Sequence, residues 1–518
     1  MSAPEPLLLT GARMPGETEP VDVTIVDGRV AAIVPAGSGG FGRTSADAIP
    51  QGAPRRSTFA RNDTAPPERI ELDGRWVIPG LWDNHVHFSA WAAVSRRLDV
   101  STARSAAETV ALVRAAVEGA GILVGFGFRD GLWDDEPTAA GLDAVSGDRP
   151  VVLVSGDLHC CWLNSAALAQ FGRAGHPTGV LREDDAFAVQ RALDDVPAAT
   201  VDAWALDAAR AAAARGVVGI VDLEMAWNHD VWQRRAAAGH DLLRVEFGVY
   251  PQHLDRAIGD GLRTGDLVDE AGLVRVGPFK VITDGSLNTR TAYCFDEYPG
   301  LEGRPNSHGL LTVPPTDLRD LLVRATAAGF VPAVHAIGDH ANRLVLDVFE
   351  SIGCAGSLEH AQLLALVDVP RFAALGVVAS VQPEHAMDDR DVADRFWSGR
   401  THRSFALASL LEAGATLAMG SDAPVAPLDP WITMAAAVGR TRDGREPWHP
   451  EQRIPAEAAL AASTRSGSRI RLGAPADLAV TELDPLAAGD DLTAAASHLR
   501  TMPVALTLLE GRPTHRAV

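Results

Sequence analysis

The sequence is short of cysteine, of long apolar runs and of positive charge. Its 518 residues include only four cysteines: Cys160, Cys161, Cys294 and Cys354. Four scattered cysteines exclude a disulfide framework and a cysteine-rich zinc module, so any metal ligands must be histidines and carboxylates. No stretch reaches the ~18 apolar residues of a membrane span, and the N-terminus lacks the features of a signal peptide. These absences predict a cytoplasmic protein.

Basic residues are outnumbered by acidic ones. Lys and Arg number 46 against 67 Asp and Glu, which gives a net charge of −21. Such a charge repels phosphate backbones and anionic lipid, so we expect no nucleic-acid partner and no membrane partner. The hydrophobic fraction of 47% is that of an ordinary globular protein. At this length a large domain accompanied by a smaller one is expected.

The two ends of the chain share one pattern. Segments beginning at Val21, Ile70, Asp477 and Val504 alternate apolar and polar residues in the manner of half-buried strands. We therefore predict a small β domain formed by residues 1–76 and 468–518 together. Within it, residues 37–67 are rich in Gly, Pro, Ser and Arg without an apolar period, which predicts a mobile loop.

The middle of the chain, residues 77–467, alternates short apolar runs with Ala-rich, helix-prone stretches. This is the pattern of repeated βα units and a parallel sheet. Ten candidate strands are two more than an eight-stranded barrel needs. The surplus pair, near Ile122 and Val151, predicts an insertion at about residues 100–200 beside the barrel.

The first string with chemical content is WDNHVHF, in which a strand-like run ends in His85 and His87. Side chains two residues apart in a strand point the same way, so both imidazoles can reach one metal ion. The pattern is common by itself. Two half-buried histidines at a strand edge are the plain structural alternative.

Later polar residues follow apolar runs in the same way. They are Lys280, His335, His360 and Asp422. Active sites of barrels form at the carboxyl ends of the strands, where distant residues meet. Taken singly, they are also typical of a surface ammonium, two core histidines and a helix N-cap. Five predicted strands that all end in potential ligands favour one shared metal site.

The ordered set HVH, Lys, His, His and SD resembles the amidohydrolase superfamily. The strings FKVITDGSLNTRTA, VHAIGDHANR, LEHAQL, SVQPEH and GSDAPVAPLDPW are similar to its N-substituted formamide deformylase-like branch, amidohydrolase family 3. The resemblance spans nearly the whole chain. It implies an α/β fold: a distorted (β/α)8 TIM barrel with a small β-sandwich built from both termini. It also implies a metal-dependent hydrolase that cleaves a C–N bond, of amide or N-formyl type, with metal-activated hydroxide.

The resemblance implies six metal ligands: His85, His87, Lys280, His335, His360 and Asp422. The first two histidines and Asp422 would hold one divalent ion, expected to be zinc, and the other two histidines a second. Asp422 would also shuttle a proton. Lys280 would bridge the ions as a carbamylated lysine, since an ammonium cannot coordinate a cation. With Lys280 unmodified, a one-metal site is the alternative.

Other positions carry weaker predictions. His159 matches a family histidine, and we expect it to hydrogen-bond the substrate carbonyl or its oxyanion. Trp162, Asn164, Asp284 and Arg290 are predicted substrate-binding residues. Four of these positions also have a structural alternative: His159 as a histidine that closes the insertion onto the barrel, Trp162 as a core tryptophan, and Asp284 and Arg290 as a turn with a surface ion pair.

Three other functions stay open at this stage. A cyclic amide or imide hydrolase, or a deaminase, would use the same scaffold and ligands, because function depends on the site and its loops. A non-catalytic binding barrel would be expected to have lost ligands, whereas all six positions are occupied here. The expected partner is a small amide-like molecule. A homodimer is the oligomer that we expect.

Overall fold

The computed structural model describes residues 5–38, 67–128, 130, 133–155, 160–182, 184–194, 196–487 and 491–518. Most of the predicted mobile loop at 37–67 therefore lies outside the described residues, and so does His159. The chain divides into two compact units, one formed by residues 1–88 with 209–518 and the other by residues 89–208. Within the described ranges, no helix combines the length and the apolarity needed to cross a membrane.

The strands and helices are numbered in chain order. The strands are β1 (Leu7–Ala12), β2 (Val21–Val26), β3 (Arg29–Pro35), β4 (Glu68–Glu71), β5 (Trp76–Pro79), β6 (Leu81–Val86), β7 (Leu98–Asp99), β8 (Leu123–Phe128), β9 (Val151–Ser155), β10 (Cys160–Leu163), β11 (Val180–Arg182), β12 (Val217–Asp222), β13 (Arg244–Val249), β14 (Val274–Ile282), β15 (Pro332–Ala336), β16 (Ser357–His360), β17 (Val378–Val381), β18 (Leu417–Met419), β19 (Leu478–Thr481), β20 (Val504–Leu509) and β21 (Arg512–Arg516). The α-helices are α1 (Phe88–Val94), α2 (Ala106–Ala116), α3 (Ala139–Ser146), α4 (Ser165–Gln170), α5 (Asp184–Asp194), α6 (Ala198–Ala213), α7 (Asn228–Ala237), α8 (Leu254–Gly259), α9 (Pro315–Ala327), α10 (Asp339–Ile352), α11 (Val369–Leu375), α12 (His385–Phe396), α13 (Leu407–Glu412), α14 (Pro430–Gly439), α15 (Ala456–Ala462) and α16 (Leu492–Arg500).

The central sheet has eight parallel strands in the order β6-β12-β13-β14-β15-β16-β17-β18. Parallel strands covered on both faces read as continuous apolar runs, and β12, VVGIVD, is buried at every position. A parallel bridge between Val86 and Ala423 joins the first strand to the segment that follows the last one. The predicted α/β barrel is confirmed, and it places the carboxyl ends of all eight strands around one opening.

The two chain ends build two four-stranded sheets. Their orders are β3-β2-β1-β4 and β21-β20-β19-β5, so a strand from the N-terminal part pairs with the C-terminal strands. Apolar side chains from both sheets, including Leu9, Val23, Val480 and Leu506, form one buried core. These sheets and the barrel belong to a single compact unit. The finer division at residues 76 and 468 stays a prediction.

The second compact unit, residues 89–208, contains the two surplus strands. They are β8 and β9, which lie in a separate five-stranded sheet of order β11-β10-β9-β8-β7. Of the ten candidate strands, eight therefore lie in the barrel sheet, and β8 and β9 lie in this other sheet. Apolar side chains of this unit, such as Leu142, Leu153 and Trp162, form a core of their own.

Candidate metal centre

Two histidines and one aspartate converge at the carboxyl end of the barrel. His85 lies on β6 and His87 follows that strand, and the Nε2 atom of each is 3.4 Å from Asp422 Oδ1. One donor atom from each of the three side chains lies within 4.8 Å of the other two. Two imidazole nitrogens and a carboxylate oxygen form a donor set that suits a divalent ion such as zinc.

A close approach of β6 to the segment after β18 brings Asp422 into this position. A Cβ atom at Gly420 would lie 2.5 Å from the backbone nitrogen of His85, so only glycine fits there. The backbone N–H of Asp422 donates to the His85 carbonyl oxygen at 2.7 Å. Asp422 itself has a φ of 56°, in the left-handed region that aspartate tolerates better than most residues. Closure of the barrel therefore positions this carboxylate.

The charge states of His85 and Asp422 suit metal binding. Burial, and then the nearby Lys280, lower the pKa of His85 to about 4, so its imidazole is neutral and able to coordinate. Burial would raise the pKa of Asp422, but the surrounding histidines, led by His85 and His87, hold it well below its usual value. Asp422 is therefore an anion near neutral pH.

Glu359 fixes the orientation of His85. The His85 Nδ1–H donates to Glu359 Oε2 at 2.6 Å, and the hydroxyl groups of Ser357 and Ser380 donate to the same carboxylate. Burial would raise the pKa of Glu359, but the charge of Lys280 and the His85 hydrogen bond lower it to about 2. An ionised Glu359 keeps the proton on Nδ1 and leaves Nε2 of His85 free for a cation.

Replacing Glu359 by glutamine is expected to weaken zinc binding by about 10- to 100-fold, because the neutral amide holds the His85 tautomer less firmly. Competition with a coloured chelator measures the affinity. Glu457→Gln is the matched control, since Glu457 is exposed and accepts a hydrogen bond from Ser468, and it belongs to neither group of candidate ligands. Equal zinc affinities of wild type and E359Q would contradict this role of Glu359.

The remaining predicted ligands lie beside the first group. The ring centroids of His85 and His360 are 5.0 Å apart, and those of His335 and His360 are 4.5 Å apart. Lys280 is only 1% exposed, and it interacts electrostatically with Glu359 and Asp422. The structure therefore gathers side chains from five different barrel strands at one place.

Four nitrogen atoms in this cluster are buried without a hydrogen-bond partner among the described residues. They are Lys280 Nζ, His335 Nε2, His360 Nδ1 and His385 Nε2. Most buried polar atoms in folded proteins have a partner, so each exception needs an explanation. Several nitrogen donors beside an anionic carboxylate fit a bound divalent cation, which would coordinate members of the set.

Two predicted substrate-binding residues follow β14. Asp284 is buried and accepts hydrogen bonds from the backbone N–H groups of Tyr293, Ile337 and Gly338 at 2.8–3.0 Å. It thus ties the loop after β14 to the turn after β15, and its Oδ1 is also 3.4 Å from His335 Nε2. The Arg290 guanidinium lies 5.3 Å from the ring centroid of Phe396. Contact of either residue with substrate stays a prediction.

Two others, Trp162 and Asn164, lie inside the second compact unit. The indole of Trp162 is fully buried, and its Nε1–H donates to the Thr138 carbonyl oxygen. Asn164 accepts from the Ala167 N–H at the start of α4, and its amide donates to Ser146 Oγ. These contacts support the structural alternative for Trp162, and contact of either residue with substrate stays a prediction.

Two residues of the cluster had no assigned role in the sequence analysis. Glu359 immediately precedes His360, and an acidic residue inside a buried strand would have been the signal for it. His385 opens α12, and its Nε2 is 3.8 Å from Asp422 Oδ2. The string SVQPEH contains His385. The residue begins a helix and does not directly follow the end of β17, so it is not among the polar residues that end a strand.

A parallel barrel with histidines, a lysine and an aspartate at its carboxyl end defines a class of metal-dependent hydrolases. A family model described as "Amidohydrolase family" matches residues 68–515. The chain belongs to this family, and it is therefore a hydrolase. The predicted resemblance is confirmed at this level.

Individual relatives agree with that assignment. The chain is 31% identical over 441 residues to Protein LONG AFTER FAR-RED 3 of Arabidopsis thaliana, an alignment that covers 77% of this chain and 75% of that protein. It is 26% identical over 523 residues to N-substituted formamide deformylase of Arthrobacter pascens, with 88% and 91% coverage. A crystal structure of an uncharacterized metal-dependent hydrolase from Pyrococcus furiosus has the same fold, with a TM-score of 0.72, 22% identity and 93% and 100% coverage.

Proposed function

We propose that the protein is a metal-dependent hydrolase that cleaves the C–N bond of a small amide or N-formyl compound. The convergence of His85, His87 and Asp422 at the carboxyl end of the barrel carries the proposal. The similarity to N-substituted formamide deformylase supports the substrate class. Cytoplasmic location, a homodimer and the absence of a nucleic-acid partner stay predictions.

The proposed centre contains two divalent ions. His85, His87 and Asp422 would hold one divalent ion, and His335 and His360 would hold the second. Zinc is the ion we expect from these nitrogen and oxygen donors. When bound, such an ion lowers the pKa of water and polarises a carbonyl oxygen.

Asp422 moves the proton in this proposal. It is anionic because neighbouring histidines keep its pKa low, so it can accept a proton from the water that attacks the carbonyl carbon. The same oxygen then delivers the proton to the departing nitrogen, which leaves as an amine. His159 remains the predicted donor to the carbonyl oxygen, although it lies outside the described residues.

Lys280 is the proposed bridging ligand after carboxylation. Its amine is buried, and burial lowers its pKa, which favours the neutral form that has a free electron pair. That electron pair forms an N–C bond to carbon dioxide and the nitrogen loses a proton to solvent. The carbamate has anionic oxygens where the amine had none.

Removal of the metal tests the proposal. We expect dialysis against a strong chelator to lower the turnover of an N-formyl amine by at least about 100-fold, because the free protein cannot ionise water near neutral pH. Added zinc should restore it, and chelator saturated with zinc beforehand is the control. Formate and free amine are the products to measure.

A substrate panel defines the class of bond. It contains N-formyl amines, N-acyl amino acids, cyclic imides and aminopurines. Release of amine from the first two groups is expected. Full activity after rigorous chelation would contradict the metal centre, whereas turnover restricted to imides or aminopurines would contradict only the substrate class.

A further inference from the structure

His385 lies in the metal centre although it is not among the six predicted ligands. It is 7% exposed and is the first residue of the twelve-residue helix α12. Its Nε2 is 3.8 Å from Asp422 Oδ2, and it has no hydrogen-bond partner among the described residues. A core histidine normally has its polar atoms partnered, so packing alone does not explain this ring.

The donor atoms around His385 are spaced as cation ligands. One atom each from His360, His385 and Asp422 lies within 4.8 Å of the others. Ligand atoms of a tetrahedral zinc site are about 3.4 Å apart, because each zinc bond is about 2.1 Å long. The imidazole ring centroids of His360 and His385 are 6.1 Å apart, and the two ring planes are inclined by 23°. Small movements would therefore bring all three atoms onto one ion.

This group shares Asp422 with the first group but uses its other oxygen. Asp422 Oδ1 faces His85 and His87, whereas Oδ2 is the atom near His385. One carboxylate with its two oxygens turned toward two sets of histidines is suited to two neighbouring ions. His335, by comparison, has its Nε2 beside Asp284 at 3.4 Å.

Helix α12 is held firmly at the end that carries His385. The preceding residue, Glu384, is 2% exposed and accepts from Arg442 at 2.9 Å and from Arg500 at 2.8 Å. Residues 442–448 also contact the following turns of the helix. They do so through three pairs: Asp388 with Arg442, Asp391 with Arg445, and Asp394 with Trp448. These contacts oppose rotation of the helix, so the His385 ring is preorganised.

We propose that His385 is a ligand of the second divalent cation, together with His360 and Asp422. The inference rests on the proposed function, because it presumes a two-metal centre. It changes the ligand set that the sequence predicts. The second ion is coordinated from the loop and helix after β17 as well as from β16.

A crystal of the zinc-loaded wild-type protein tests this directly. Anomalous difference maps at the zinc edge should show an ion about 2.1 Å from His385 Nε2 and from one donor atom each of His360 and Asp422. An ion bound by His360 but more than about 3 Å from His385 Nε2 would overturn the inference. So would a single ion held only by His85, His87 and Asp422.

Metal content in solution gives a second test. Wild type should contain two zinc ions per chain, and His385→Ala one. The control is His402→Ala, which removes an exposed histidine that belongs to neither group of candidate ligands and should leave two ions. Two tightly bound ions in H385A would overturn the inference alone. A wild-type protein that binds no zinc would overturn the proposed function and the inference together.

Discussion

Replacement of Asp422 by asparagine is expected to lower kcat by about 10²- to 10⁴-fold with little change in KM. Asparagine preserves the shape and one ligand oxygen but cannot accept a proton from water. It also tolerates the left-handed backbone that Asp422 adopts at a φ of 56°, so the variant should fold. Steady-state kinetics with metal analysis of the same sample separates lost chemistry from lost metal.

Asp73→Asn is the matched control for this experiment. Asp73 also has a positive φ, 49°, and lies in the terminal part of the chain beside Arg75, not at the metal centre. The control should retain wild-type turnover. A D422N enzyme that keeps its metal and turns over at nearly the normal rate would remove Asp422 from the proton-transfer role.

Replacement of Lys280 by methionine is expected to lower activity far more than stability. Turnover should fall by at least about 100-fold, equivalent to about 2.7 kcal/mol of transition-state stabilisation, because methionine cannot become a carbamate. The free energy of unfolding of the metal-free protein should change much less, because two effects oppose each other. Glu359 and Asp422 lose a cationic neighbour, which costs stability, whereas removal of a buried amine that has no hydrogen-bond partner among the described residues increases it.

Urea unfolding of metal-free wild type and K280M measures the second effect, and zinc content with kinetics measures the first. Mass spectrometry under native conditions adds a direct observation, since a carbamate increases the mass of wild type but not of K280M. Wild-type turnover in K280M would contradict the bridging role. A large loss of stability would show that the lysine contributes mainly to folding.

Most of the barrel could be predicted from the sequence because its strands are covered on both faces. Such strands need apolar residues throughout, and β12 and β15 are recognisable as short apolar runs between helix-prone stretches. The same logic predicted the ligand positions, since each polar residue that ends such a run lies at one edge of the sheet. The closed barrel then brings His85 near Asp422 across more than three hundred residues.

The roles of Glu359 and His385 could not be predicted in this way. Glu359 acts through His85, which is 274 residues away in the chain, and nothing local marks that pairing. His385 is aimed at the site by helix α12, whose docking depends on ion pairs with residues 54 positions further along. For Trp162, a position near a motif in the sequence indicated contact with substrate. In the structure its side chain is fully buried in the core of the second compact unit.

The sequence by itself determined the class of fold and the kinds of donor atom, because burial on both strand faces and polar strand ends are local properties that composition and spacing record. Only the tertiary structure decided which donors converge. Gly420 lets the last strand approach His85, and docking of α12 brings His385 to Asp422. Both depend on contacts between distant segments, and side-chain direction at such contacts is fixed by packing rather than by neighbouring residues.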